Sequence, residues 1–340
     1  MPSPSLRLIA ATLLAACAGT AHAEIPEIMV VTSDPQYPWT EVTDQGGPTD
    51  NVRAEALVRE QYESIVAFRR EHPLQRIPVI INGDLTSHGQ FFEHQKINEL
   101  FTILGDNFYY GLGNHDYENN LRNNHACAFA YCATDSLDNL ARHVIGLGDR
   151  VRAFDLRTRA ESGGLTGRLV KEGSWSYAFK ADGWDNTLQL QLNNAPDYAA
   201  DLSTFSGFLQ PVRYNVTASA DWLVAQSRNA LQRGEARFTL AHVHKPEGWR
   251  GEWSHPEDSL AAKAAAAGVK AIFSGHYHMD MGVKYVPIGP GDALPLFNSG
   301  SASQRTYLIV EHWPEARRVK VYGVRNNDPS QKELLAAFDV

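Results

Sequence analysis

The sequence predicts an α/β fold, on three observations. Short β-branched runs alternate with segments of helical period through the first third of the chain. The runs are apolar throughout, as strands covered on both faces are. Each also ends in Asp, Asn, Gly or His, which places any chemistry at the carboxyl ends of the strands, where open α/β sheets bind ligands.

Taken in order, Ile28, Met29, Val30, Val31 and Thr32 form the first run, which leads into Ser33-Asp34-Pro35-Gln36. A Gly/Pro/Asp-rich loop over 43–49 precedes Asp50, a capping residue for a helix over 51–70 with Val58, Tyr62, Ile65 and Val66 on one face. The second strand covers 77–81 and ends in Asn82-Gly83-Asp84. A helix over 90–104 turns Ile97, Leu100, Phe101 and Leu104 inward, and Asp106 marks its exit. Strand 108–110 then leads to Gly113-Asn114-His115-Asp116. Residues 117–172 read as an irregular polar excursion over the active face. Strands follow at 175–180, 187–192, 237–243 and 269–273, with helices at 219–233 and 257–267. Short strands with Gly/Pro turns fill 282–324. No repeat or linker divides the chain, so residues 24–340 read as one domain.

Composition narrows the function. The 340 residues are 43% hydrophobic and 21% charged, in the range of an ordinary globular protein. A net charge of −8 without a dense Lys/Arg block argues against nucleic-acid binding by phosphate neutralisation. Residues 1–23 have the form of a secretory signal: Arg7, an apolar run from Leu8 to Ala16, and Ala21-His22-Ala23 before the cut. The apolar run is too short to span a membrane. Leu14-Ala15-Ala16-Cys17 also fits a lipobox, which would anchor the chain through Cys17 instead. Either route exports the protein, to the periplasm or beyond. Cys127 and Cys132 are then expected to pair as a disulfide in an oxidising compartment.

Gly275-His276-Tyr277-His278 ends the run 269–273, with Gly275 expected to supply a positive φ where the backbone leaves the sheet. Two imidazoles one residue apart share a face if strand geometry continues. Singly, each of these residues has an ordinary reading as a turn or surface group. Asp34 with Gln36, Asp84, Asn114 with His115, His244, and His276 with His278 stand at successive strand ends, which turn chemistry alone does not explain.

This ordered set resembles the calcineurin-like metallophosphoesterase superfamily, whose blocks are D-x-H, G-D, G-N-H-D/E, H and G-H-x-H. The resemblance covers nearly the whole mature chain. It implies two packed mixed β-sheets flanked by helices, an αββα sandwich, and two divalent metal ions (Mn, Fe, Zn or Mg). One ion would take Asp34, Gln36, Asp84 and His278, and the other Asp84, Asn114, His244 and His276, with Asp84 bridging. Hydroxide between the ions would attack a phosphate mono- or diester. His115 would protonate the leaving oxygen, with Asp116 as its orienting partner. The substrate implied is a small-molecule or lipid-headgroup phosphoester.

Gln36 departs from the pattern by replacing an imidazole with an amide. His242 is an alternative to His244, which is preferred because it leads His244-Lys245-Pro246. Ser87 stands where purple acid phosphatases carry a metal-binding Tyr, so a tyrosinate centre is not expected. Trp249 and Trp253 are close enough in sequence to His244 to line a pocket. The Gln36 departure also leaves room for a second class of function, a ligand-binding or toxin-like module that keeps the fold with little turnover.

Overall fold

A computed structural model describes residues 24–121, 127–162, 167–206, 210–249 and 255–340. The expected signal segment, Cys17 and Trp253 lie outside them. The first third runs β1 (Glu27–Thr32), α1 (Asn51–Glu71), β2 (Val79–Asn82), α2 (Phe91–Phe101) and β3 (Phe108–Gly111). The middle holds α3 (Tyr131–Gly146), β4 (Val151–Phe154), β5 (Arg157–Glu161), β6 (Arg168–Gly173), β7 (Tyr177–Phe179), β8 (Thr187–Gln191), β9 (Ala200–Ser206) and β10 (Gln210–Val216). Then come α4 (Ala220–Gln232), β11 (Phe238–His242), α5 (Leu260–Ala266), β12 (Val269–Ser274), β13 (Gly282–Gly289) and β14 (Asp292–Asn298). The chain closes with β15 (Tyr307–Trp313), β16 (Arg318–Val324) and β17 (Glu333–Asp339).

Two large mixed sheets carry the architecture. One is ordered β17-β16-β15-β1-β2-β3 and the other β13-β14-β12-β11-β8-β7-β4. In the first, β1, β2 and β3 are parallel and β15 joins β1 antiparallel. In the second, β8, β11, β12 and β14 are parallel neighbours. Alternation along each strand explains the packing. Leu240 and Phe273 enter the core that also holds Val30 and Ile80 of the first sheet, while Ala241 and Ile272 face α4 and α5. Tyr62 of α1, Ile97 of α2 and Leu140 of α3 join the larger core. The sandwich expected from the ligand blocks is therefore the one observed.

Several local expectations hold and others shift. Asp50 caps α1, accepting from the amides of Val52 (2.9 Å) and Arg53 (3.0 Å). The buried face of α1 includes Phe68 in place of Val66. The capping box of α2 joins Gln90 and Glu93, and the helix ends at Phe101, three residues earlier than expected.

Within 117–172 the described residues hold more regular structure than their polarity suggested. α3 buries Ala133, Leu137, Leu140 and Val144, a helical period hidden among charged neighbours. A third sheet, β5-β6-β10-β9, is tied to α3 where Tyr214 Oη donates to Asp138 at 2.9 Å. Cys127 and Cys132 are joined as a disulfide at the start of α3, with Cα atoms 5.7 Å apart. Among the described residues no helix is long and apolar enough to cross a membrane.

Candidate metal centre

Five parallel strands end at one edge of the sandwich and deliver the expected ligands there. The loop after β1 carries Asp34 and Gln36, that after β2 carries Asp84, and that after β3 carries Asn114 and His115. β11 and β12 deliver His244, His276 and His278. Four of these backbones are left-handed: Asp34 (φ 53°), Gln36 (φ 34°), Asp84 (φ 48°) and His276 (φ 74°). Such conformations cost on the order of 1–3 kcal/mol each outside glycine and gather where a site needs particular side chains. The positive φ expected at Gly275 falls on His276 instead. Gly275 is needed for a different reason, since a Cβ there would overlap Ser33 Oγ and Asp34 Oδ2. Gly113 likewise has no room for a Cβ beside Asp84.

Asp84, His244 and His276 can each offer an atom such that all three lie within 4.8 Å of one another, a group able to hold a metal ion. His244 Nε2 is 3.0 Å from Asp84 Oδ2 and 3.1 Å from Asn114 Oδ1. Its Nδ1 faces the Asn82 carbonyl at 2.8 Å, which directs Nε2 at the cluster. His278 Nε2 lies 3.2 Å from Asp34 Oδ1, and the other Asp34 oxygen accepts from the His276 amide at 3.0 Å. His242 is turned away, within 2.9 Å of Gln189 Oε1 and stacked on Phe273.

Electrostatics follow from this packing. Burial opposes charge on His244, yet the neighbouring Asp84 and Asp34 carboxylates overcome it and raise its pKa to about 9. For His278 burial is likewise outweighed by Asp34 and Asp44, which lift it to about 10. His276 moves down, through burial and the charge of His244. Asp84 is held below the carboxylate range: burial works against this, and the charge and hydrogen bond of His244 prevail.

Gln36 tests whether the residues fit a metal. It is 1% exposed, and neither Oε1 nor Nε2 has a partner within the protein. A buried amide left without partners is costly, and a cation coordinated by Oε1 would satisfy the oxygen. Gln36 lines a cavity of ≈ 280 Å³ together with Asp84, His115, His276 and His278. The donor set of carboxylate, amide and imidazole suits a borderline or hard divalent ion. The fit is good.

His115 reaches the same cavity but is held differently. Its amide donates to Asp84 Oδ1 at 2.8 Å, and its Nδ1 sits 3.0 Å from the Ser87 carbonyl. Asp116, expected to orient this ring, does something else. Its carboxylate accepts from the amides of Leu85 (3.1 Å), Thr86 (2.9 Å) and Gly113 (2.9 Å), so it braces the Asp84 and Asn114 loops against each other. Burial and the charge of Asp84 push its pKa up. The orienting partner of His115 is thus a backbone carbonyl, because Asp116 is engaged from within the loops.

Sequence reasoning missed Trp39 and Asp44. Asp44 Oδ1 lies 2.5 Å from His278 Nδ1 and accepts from Trp39 Nε1 at 2.7 Å, while Oδ2 accepts from Ser303 and Gln304, both at 2.6 Å. Burial works to raise its pKa, but the bond and charge of His278 bring it down to about 2. Trp39 meets His115 edge-on at 5.3 Å and His278 at 5.9 Å. A Trp and an Asp within ten residues of Asp34 were the available signal. Trp249 is wholly buried in the core under α4 and α5.

No curated protein sequence matches the chain. Among solved structures, a purple acid phosphatase from yellow lupin (Lupinus luteus) seeds aligns over 93% of this chain with a TM-score of 0.53 at 8% identity. The chain spans about half of that enzyme, 54% of its length, and the likeness is one of fold. A 5'-nucleotidase from Candida albicans aligns over 83% of this chain and 46% of its own, with a TM-score of 0.45 at 12% identity. YfkN from Bacillus subtilis, a calcineurin-like phosphoesterase, aligns over 94% and 90%, with a TM-score of 0.42 at 11% identity. The family model for calcineurin-like phosphoesterase matches residues 29–280, spanning every loop from Asp34 to His278, and the chain belongs to that family.

Proposed function

We propose that the protein is a dinuclear metal-dependent hydrolase of phosphate mono- or diesters. The observation that carries the reading is Gln36, a buried amide with no partner of its own, set among Asp34, Asp84, Asn114, His244, His276 and His278. Asp34, Gln36, Asp84 and His278 would hold one ion, and Asp84, Asn114, His244 and His276 the other. Bound there, two divalent ions would supply Lewis acidity toward the phosphoryl oxygens and acidify water.

The protein's own residues do the rest. With Nδ1 donating to the Ser87 carbonyl, His115 keeps Nε2 for the substrate. Water adds its oxygen to phosphorus as the P–O bond to the alcohol breaks. The water proton leaves to solvent, and His115, having taken a proton from solvent at Nε2, delivers it to the departing alcohol oxygen. Trp39 packs against the His115 and His278 rings and restricts both. Export belongs to the same proposal, as a periplasmic or secreted protein or one anchored through Cys17, and the Cys127–Cys132 disulfide supports an oxidising compartment.

The test is turnover of aryl phosphate mono- and diesters by chelated protein, with Mn(II) restored, alongside metal analysis. Turnover that returns with the metal is expected. Bound metal without hydrolysis of either ester would favour the ligand-binding module instead.

A further inference from the structure

A second cleft, of ≈ 520 Å³, opens beside the metal-ligand cluster and shares His276 with it. Its walls carry Glu118, Asn194, Asp197, Tyr198, Lys245 and Glu247. Asn194 follows β8 and Lys245 follows β11, and the two strands are parallel neighbours, so these two wall residues sit on loops that leave adjacent strands. The backbone is pinned as well: the Asn194 amide donates to the Leu112 carbonyl at 2.7 Å, and the Lys245 amide donates to the Asn194 carbonyl at 2.8 Å.

The hydrogen-bond groups facing this cleft are mostly acceptors. Lys245, its one ammonium among the described residues, lies 2.5 Å from Glu118 Oε2, and Asn194 Nδ2 donates to the same oxygen at 2.8 Å. That bond sets the orientation of the Asn194 amide, because a carboxylate accepts only from the nitrogen. Asn194 Oδ1 is therefore the free atom; it is buried without a partner, on a residue 0% exposed. Glu247 receives the Tyr277 hydroxyl on Oε1. Three carboxylates against one ammonium leave the lining two charges negative.

A group that fills such a space must bring positive charge. Among the described residues, a second phosphate on the leaving side would meet Glu118, Asp197 and Glu247 with no free cation to receive it. We propose that the cleft holds the alcohol side of the ester and that this alcohol carries an ammonium group. The inference rests on the phosphoesterase reading above. Asp197 and Glu247, both exposed on the cleft wall, would face the ammonium, with Tyr198 beside them.

The experiment compares two esters on the metal-loaded full chain: choline phosphate, and its neutral isostere in which carbon replaces the quaternary nitrogen. The choline ester should show a kcat/KM higher by about tenfold, on the scale of a partly desolvated charge contact. In Glu247→Gln, an exposed position, that ratio should fall toward one, mainly through KM. Equal kcat/KM for the two esters, with both hydrolysed, overturns the cleft assignment and leaves the phosphoesterase reading standing. If neither these esters nor nitrophenyl phosphates are hydrolysed, that reading fails, and calorimetric titration then decides the cleft. Binding of choline but not of the neutral alcohol supports it, and binding of both or of neither overturns it.

Discussion

Asp44 Oδ1 sits 2.5 Å from His278 Nδ1, on the far side of the imidazole from Asp34. A carboxylate behind a histidine ligand fixes its tautomer and raises its basicity. Asp44→Asn should weaken metal retention by about 10–100-fold, the usual scale for such partners. Competition against a chelator measures this. An unchanged affinity would show that Asp44 only closes the Trp39 loop.

His115 and Asp84 should separate proton transfer from metal binding. His115→Ala should keep its metal and lose turnover by about 10²–10⁴-fold, with a smaller loss for nitrophenyl esters, which need little protonation to leave. Asp84→Ala should empty at least one site. If His115→Ala loses metal as fully as Asp84→Ala, the division of roles is wrong. If its losses are uniform across leaving groups, the ring only supports the Ser87 loop.

Gln36 gives a test that runs in two directions. In metal-free protein its amide is buried without partners, so Gln36→Met removes a desolvation cost of about 1–3 kcal/mol and should raise the apo melting temperature. The same change should lower bound metal by up to one equivalent. A fall in both would mark Gln36 as a packing residue.

Acid should destabilise the fold through three buried neutral histidines outside the proposed ligand set. Burial, with help from Arg142 and Arg150 in two cases, lowers His94 to about 4 and His143 and His242 to about 3. In the unfolded chain these groups bind protons below about 6.5, while in the folded protein they stay neutral until near 4 or 3. Their stability is therefore present above about 6.5 and is lost as pH falls toward the folded values. Together they give a slope of up to about 4 kcal/mol per pH unit. Chemical denaturation of metal-free protein from pH 6.5 to 4.5 reads it. His143→Phe, whose ring would stack on Tyr110 as the imidazole does at 4.1 Å, should flatten the slope by about a third.

Much of this was legible from residue order. The β-α-β-α-β opening and the strand-end donors needed only local pattern, because a buried parallel strand announces itself as an apolar run and its exit as a change of chemistry. α3 was not legible, since Leu137, Leu140 and Val144 are diluted by Asp135, Asp138 and Arg142. Asp116 was misassigned because adjacency to His115 in sequence says nothing about where a carboxylate points. Asp44 lies 234 residues from His278, and only the fold brings them together.

The Asp116 carboxylate accepts amides from both the loop that carries Asp84 and the loop that carries Asn114. Those two loops are thereby coupled into one mechanical body, whose spacing is set by the chain alone. A metal ion arriving there meets donors that need not be gathered first, so its entry should be limited by shedding water and displacing protons from His244, not by ordering of the polypeptide. The same coupling means that the amides of Leu85, Thr86 and Gly113 should exchange with deuterium as a single slow group, and should do so to the same extent before and after the ions are removed.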